Sequence, residues 1–457
     1  MSKYRAFLLR LSASLFLVAC TSATTAWQSS AIGLTSPPPS EEQVRAAADR
    51  LAWHRKMVAR PKPTGCFAAT FPLMEWKKTQ CVRAPKMPHK RPPPLAKLPR
   101  PVPPIKVPTN APVGAVAGNG NDLVAVANGG PLTAAEGSFD QTADIQTVSS
   151  VTSAAQNAPG AYALQINVAP FATPACANAQ DPKSCQGWLQ YLFMNDNNGS
   201  LALMEVWLFN FGPTCPGQGS VPQLPNMPAG VSWVNSGTDC VFDSPTTALL
   251  AAQPVTSLSQ LHMRGEAIPG GQDSVTITLP NGTISGVAIS DNILKLSSVW
   301  REVEFNVVGY INAQRAAFNS GAAAVVHINV ENGTMNAPTI INSGFTGETN
   351  NFNLVPPGCA NTGNPPSIVF EEITLASQKS LACPPAIPAP PKPPQLTPCQ
   401  QATEAVTIDE TLLAKAQARL SDPTCKGPAS VNCVKARQAA QAALSAAIVH
   451  RNQVCNP

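Results

Sequence analysis

The chain has 457 residues, enough for about two or three domains; only 12 % are charged, and 47 are proline. Low charge with abundant Pro, Gly, Ser, Thr and Asn fits an extracytoplasmic β protein better than a cytosolic enzyme. The net charge of +5 is modest and comes largely from one segment, so it says little about the folded core. No stretch interleaves basic and aromatic residues in a folded context, which leaves nucleic-acid binding without support.

The N-terminus combines a positive stretch, "MSKYR", with a short apolar run, "AFLLRLSASLFLVA", interrupted by Arg10. This reads as a secretory signal, too short for a membrane span. It ends in Leu17-Val18-Ala19-Cys20, which resembles the lipobox of bacterial lipoproteins. The resemblance implies cleavage before Cys20, lipidation of that cysteine, a mature protein without a transmembrane helix, and delivery to the outer membrane of a two-membrane cell. The alternative is ordinary cleavage nearby, for instance after Ala23, and a secreted product. Of thirteen cysteines, setting Cys20 aside leaves twelve. They fall in neighbouring pairs: Cys66/Cys81, Cys176/Cys185, Cys215/Cys240 and Cys359/Cys383, with four more in the tail. None has zinc-ligand spacing and the five histidines are scattered, so the expectation is disulfides, with no metal and no cofactor.

Residues 21–39 are small and polar and read as a flexible tether. Ser40 with Gln43 forms a capping box, and Val44, Ala48, Leu51 and Val58 predict the apolar face of a short basic helix closed by Pro61. That helix either lies on an anionic membrane or packs on the main domain. "GCFAATFPLMEWKKTQC" reads as a loop or hairpin clipped by Cys66–Cys81, completing a segment over 40–82. Residues 83–116 are basic, proline-rich and free of acids, a semi-rigid spacer that either contacts anionic envelope polymer or merely separates.

From 117 to 384 the pattern becomes alternating, with Asn, Gly, Ser and Thr between short apolar runs. Asn198-Gly199, Asn281-Gly282 and Asn332-Gly333 are predicted hairpin turns, because type I′ turns need two residues with positive φ. Many short strands with spaced turns predict an antiparallel β-sandwich or jelly roll. A second proline spacer spans 385–398. The tail, 399–457, is predicted to be a helical hairpin stapled by Cys399–Cys455 at one end and Cys425–Cys433 at the other, since so small a core needs bracing.

No nucleophile elbow, Walker loop, zinc-protease motif or dinucleotide fingerprint is present, and "GNGND" at Gly118 lacks the strand–helix context of a phosphate loop. The unexplained stretch is "WLQYLFMNDNNGSLALMEVW". A two-residue turn at Asn198-Gly199 places Gln190 opposite Trp207, Leu192 opposite Glu205 and Trp188 opposite Phe209. One face, Leu189, Tyr191, Phe193, Met204, Val206 and Leu208, is core; Trp188, Gln190, Glu205 and Trp207 are left on the other. "SVWREVEFNVV" repeats the design with Trp300, Glu302, Glu304 and Asn306 on one side, and "VVHINV" adds His327 and Asn329. Together these read as one surface on which tryptophans and amides hold an extended glycan or peptide; the competing reading is that the tryptophans bury under other elements.

The order Gln190, then "MEVW", then "VWREVE" resembles the glutamic peptidases of the eqolisin family, β-sandwiches whose concave sheet holds a Gln and a Glu that activate water together. The resemblance implies that Gln190 binds the attacked carbonyl, that Glu302 or Glu304 is the general base, and that Glu205 orients substrate. It departs from the family after the glutamine, where Tyr191-Leu192 replaces Thr-Gly, and in the spacing of Glu302 and Glu304 from Trp300. "GCFAATFPLMEW" and "GFTGETNNFNLV" resemble segments of secreted bacterial proteins and imply no chemistry. Three readings follow: a lipid-anchored envelope protein binding a polymer, a glutamic-type endopeptidase, and a structural envelope protein.

Overall fold

The computed structural model describes residues 41–85, 122–151, 157–310, 315–341, 348–374 and 430–455, with residues 406 and 417. Cys20 and the expected signal and tether, Ser40, the proline-rich segments beyond 85 and over 385–398, and nearly all of the stretch expected to form the first tail helix lie outside them. No helix among the described residues is long and apolar enough to cross a membrane.

In chain order the strands are β1 (Gly65–Thr70), β2 (Lys77–Lys78), β3 (Val124–Val126), β4 (Ala134–Ala143), β5 (Val148–Val151), β6 (Asn157–Pro159), β7 (Tyr162–Val168), β8 (Gln186–Asp196), β9 (Gly199–Phe209), β10 (Val234–Ser236) and β11 (Asp239–Asp243). They continue with β12 (His262–Ala267), β13 (Gln272–Thr278), β14 (Thr283–Ser290), β15 (Glu302–Val308), β16 (Arg315–Phe318), β17 (Ala323–Glu331), β18 (Thr339–Ile341), β19 (Thr349–Asn350), β20 (Asn353–Asn361) and β21 (Ser367–Ile373). Two large antiparallel sheets result, a nine-stranded one ordered β2-β1-β14-β13-β12-β4-β17-β21-β20 and an eight-stranded one ordered β10-β11-β9-β8-β7-β15-β3-β18, with a small four-stranded sheet β19-β16-β5-β6.

The two large sheets face each other through the alternate apolar residues of their strands, which makes the protein a β-sandwich. Leu189, Tyr191, Phe193, Met204, Val206 and Leu208 are all buried in the shared core. The layers meet closely where a glycine stands opposite a ring: a Cβ on Gly137 would lie 2.0 Å from the Phe305 ring, and one on Gly265 would lie 2.7 Å from that of Tyr191. Disulfides join Cys66–Cys81, Cys176–Cys185 and Cys215–Cys240. Cys359 and Cys455 are also disulfide-bonded; their predicted partners, Cys383 and Cys399, lie outside the described residues, as does Cys425.

Helix α1 (Glu41–Val58) is present, but its buried face differs from the expected one. Ala48 and Leu51 are exposed, whereas Trp53, Met57 and Val58 pack with Ala69 and Ile284 on the outer side of the nine-stranded sheet. The indole of Trp53 donates to Leu73 O at 2.8 Å and His54 Nε2 lies 3.0 Å from Glu136 Oε2. The largest apolar side chain in the last turns sets the docking face. The clipped segment is not separate: β1 pairs with β14 along six residues and joins the main sheet. In the tail, helix α2 (Ser430–Cys455) packs Leu444 and Ile448 on Val406.

The central hairpin has a different register. Asp196 pairs with Gly199, so the loop is Asn197-Asn198. The Asp196 carboxylate accepts from Asn198 N at 2.7 Å and Gly199 N at 3.2 Å, and this side-chain turn moves the reversal one residue upstream. Every pairing shifts by two, which preserves the faces and changes the partners: Trp188 faces Trp207 and Gln190 faces Glu205. Asn281-Gly282 does turn β13 into β14, with Gly282 at φ +79. Asn332-Gly333 turns the chain but closes no hairpin, because β17 and β18 belong to different sheets.

Candidate functional site

Four neighbouring strands of the eight-stranded sheet carry polar residues at one level. Glu304 of β15 is in register with Asn167 of β7, Asn167 with Gln190 of β8, and Gln190 with Glu205 of β9. Residues directly opposite on paired strands point to the same face, so the four side chains form a row across the sheet on the side away from Tyr191 and Phe305. Beside it, Asn306, Gln165 and Leu192 form a parallel row.

Hydrogen bonds join Glu304, Asn167 and Gln190 along the row. Asn167 Nδ2 donates to Glu304 Oε2 at 2.5 Å, and Asn167 Oδ1 accepts from Gln190 Nε2 at 2.9 Å. Gln190 Nε2 also reaches Gln165 Oε1 at 3.3 Å and, from off the sheet, Glu348 Oε2 at 2.9 Å. Trp207 Nε1 donates to Glu205 Oε1 at 2.6 Å. At the other end, Asn306 Nδ2 donates to Asp122 Oδ2 at 3.1 Å and to Glu372 Oε1 at 3.0 Å. Gln190 is 1 % exposed and Glu304 0 %.

Five acids, Asp122, Glu205, Glu304, Glu348 and Glu372, thus gather around a few amides, and burial dominates the chemistry of Glu304, Glu348 and Glu372. It raises Glu304 well above the usual carboxylate range, helped by the charge of Asp122 and a hydrogen bond to it; the Asn167 bond opposes this. Two carboxyl groups hydrogen-bond only if a proton lies between them. Glu304 Oε1 is buried and receives no N–H or O–H donor among the described residues. Burial, then Asp122, raises Glu372 in the same way. Glu348 is pushed up to about 7 by burial and by the charge of Glu205, against the Gln190 and Gln165 bonds. No cluster of His, Cys, Asp and Glu among the described residues has metal-binding geometry.

Several expected roles are corrected. Trp188, Trp207 and Trp300 form no open platform; they are 0 %, 0 % and 2 % exposed. Each indole N–H is satisfied internally, Trp188 by Val168 O at 2.6 Å, Trp207 by Glu205 and Trp300 by Glu302 O at 3.0 Å. Their rings pack with Phe209 and Tyr191, because so large an apolar surface gains more from burial than from water. Asn306 is inside the acid network and presents nothing outward. His327 and Asn329 are on β17 of the other sheet, where His327 Nδ1 lies 2.9 Å from Asp140. Glu302 shares the strand and face of Glu304 but is paired with Val126, off the row; burial pushes it up to about 7. Glu205 directly faces Gln190 where a diagonal was expected.

Asp122, Gln165, Asn167, Glu348 and Glu372 are additions to the sequence-derived set. Gln165 and Asn167 were visible as two amides at alternate positions of the otherwise apolar "YALQINV". The other three arrive from segments with no distinguishing pattern.

No protein-family model and no curated protein matches the chain. Among solved structures it matches that of scytalido-glutamic peptidase with a transition-state analogue inhibitor, at 13 % identity and a TM-score of 0.23, over 56 % of this chain and 98 % of that one. A likeness of that size carries no residue correspondence.

Proposed function

We propose that the protein is a glutamic-type endopeptidase whose working pair is Gln190 and Glu304. The observation that supports it most is the shared bond to Asn167, which holds an amide donor and a proton-bearing carboxyl at one level of one face, two strands apart. In this reading the Asp122–Glu304 pair takes a proton from water as the oxygen adds to the peptide carbonyl carbon. The Gln190 N–H receives the developing oxyanion. The same proton then passes to the departing amine, which leaves the pair as it began. Export and a lipid anchor at Cys20, supported by the lipobox resemblance, would place this activity at the cell envelope.

The closure of the row favours a second reading, a structural envelope protein in which the network only fixes the sandwich. Casein digestion at pH 4 and pH 7 separates them. The peptidase reading expects turnover by the wild type and its loss, by at least about a hundredfold, in Gln190→Ala and Glu304→Gln proteins that remain folded. Turnover unchanged in both variants, or absent in the wild type at either pH, refutes it.

A further inference from the structure

The Gln190 amide has two hydrogens and three acceptors within reach. Two of the acceptors, Gln165 and Asn167, are on the adjacent strand and are fixed by its register. The third, Glu348, belongs to none of the eight strands. It precedes β19, a strand of two residues with two paired positions on β16. Glu348 is buried beside the charge of Glu205, and the groups that act on its carboxyl among the described residues are Gln190, Gln165 and Glu205, none of them a cation. What it gains is the Gln190 N–H, with a second hydrogen bond from Gln165. The segment is tied down next to this point by Asn350, whose Nδ2 donates to Asn306 Oδ1 at 3.2 Å and Val307 O at 3.0 Å.

We infer that Glu348 is an internal ligand of the Gln190 amide, its carboxyl oxygen filling the place of a substrate carbonyl oxygen, so that a peptide must displace it to be cleaved. This rests on the peptidase reading for its consequence but not for its geometry. It accounts for a polar row at which no group is open to solvent: the site is occupied by the chain itself. A self-occupied site lowers apparent affinity by the fraction of molecules in which it is free.

Two measurements test the inference on the full-length protein. In peptidase kinetics, Glu348→Ala is expected to lower KM about tenfold, the size of one charge-assisted hydrogen bond, with kcat within about twofold of wild type. An unchanged KM overturns the inference. Loss of turnover in a folded Glu348→Ala protein also overturns it, since Glu348 would then belong to the catalytic machinery. The second measurement needs no turnover. In protein labelled with 15N-glutamine, exchange of the Gln190 side-chain N–H protons with water is expected to quicken about tenfold in Glu348→Ala, with the signals of glutamines other than Gln165, which also bonds Glu348, unmoved. Unchanged exchange refutes the inference even if the protein is a peptidase. Accelerated exchange without turnover in any form upholds the internal ligand and refutes the peptidase reading alone.

Discussion

Replacing Glu348 by Gln should make the protein more stable at alkaline pH and leave it unchanged in acid. A glutamate whose folded pKa is raised from 4.5 to about 7 favours the folded state fully below 4.5, and that contribution is lost as pH rises through the folded value. Over that interval the change is about 3 kcal/mol at 1.36 kcal/mol per pH unit, an order of magnitude for a fully buried group. Gln has the shape of protonated Glu and its Oε1 still accepts from Gln190, so the two proteins should unfold alike at pH 4. By pH 8 the variant should exceed wild type by up to about 3 kcal/mol. Urea denaturation from pH 4 to 8.5, disulfides intact, measures the difference and cancels the parallel contributions of Glu302, Glu304, Glu372 and Asp273. A difference that does not change with pH, or a variant less stable at pH 8, would refute the reasoning.

Gly137→Ala should cost about 3 kcal/mol or more, because its methyl would stand 2.0 Å from the Phe305 ring at the contact between sheets; a thermal midpoint within a degree of wild type would show that the layers are farther apart. Trp188, Trp207 and Trp300 should emit at short wavelength and resist acrylamide quenching in the native protein. Restoring Trp one at a time in a background where the other tryptophans are Phe assigns each signal, and ready quenching of Trp207 would bring back an exposed binding surface.

The faces of the central hairpin were readable because side chains alternate with a period of two, and an error of one residue in the turn shifts partners by two without turning the strand over. The partners were not readable. Asp196 competes with Asn198-Gly199 for the reversal through its own carboxylate, and the sequence alone does not rank a side-chain turn against a positive-φ one. The burial of the tryptophans was equally hidden: whether the second face of a strand is wet depends on segments far away in the chain. Gln190, Glu205 and Glu304 were found because they interrupt apolar strands; Glu348 interrupts nothing, and only the folded chain brings it to Gln190.

The row runs at right angles to the strands, so apart from Gln190 and Glu205, which share a hairpin, its members are neighbours in space from separate stretches of sequence. Asn306 alone bonds residues 184 positions before it and 66 after it. Beyond the Gln190–Glu205 hairpin the site has no local precursor: it is complete only when the long-range pairings that bring in Glu304 and Glu348 have closed. Chemistry placed there is withheld from a partly made chain, and an exported protein built this way would acquire its reactive centre only after the whole sandwich has been delivered and folded.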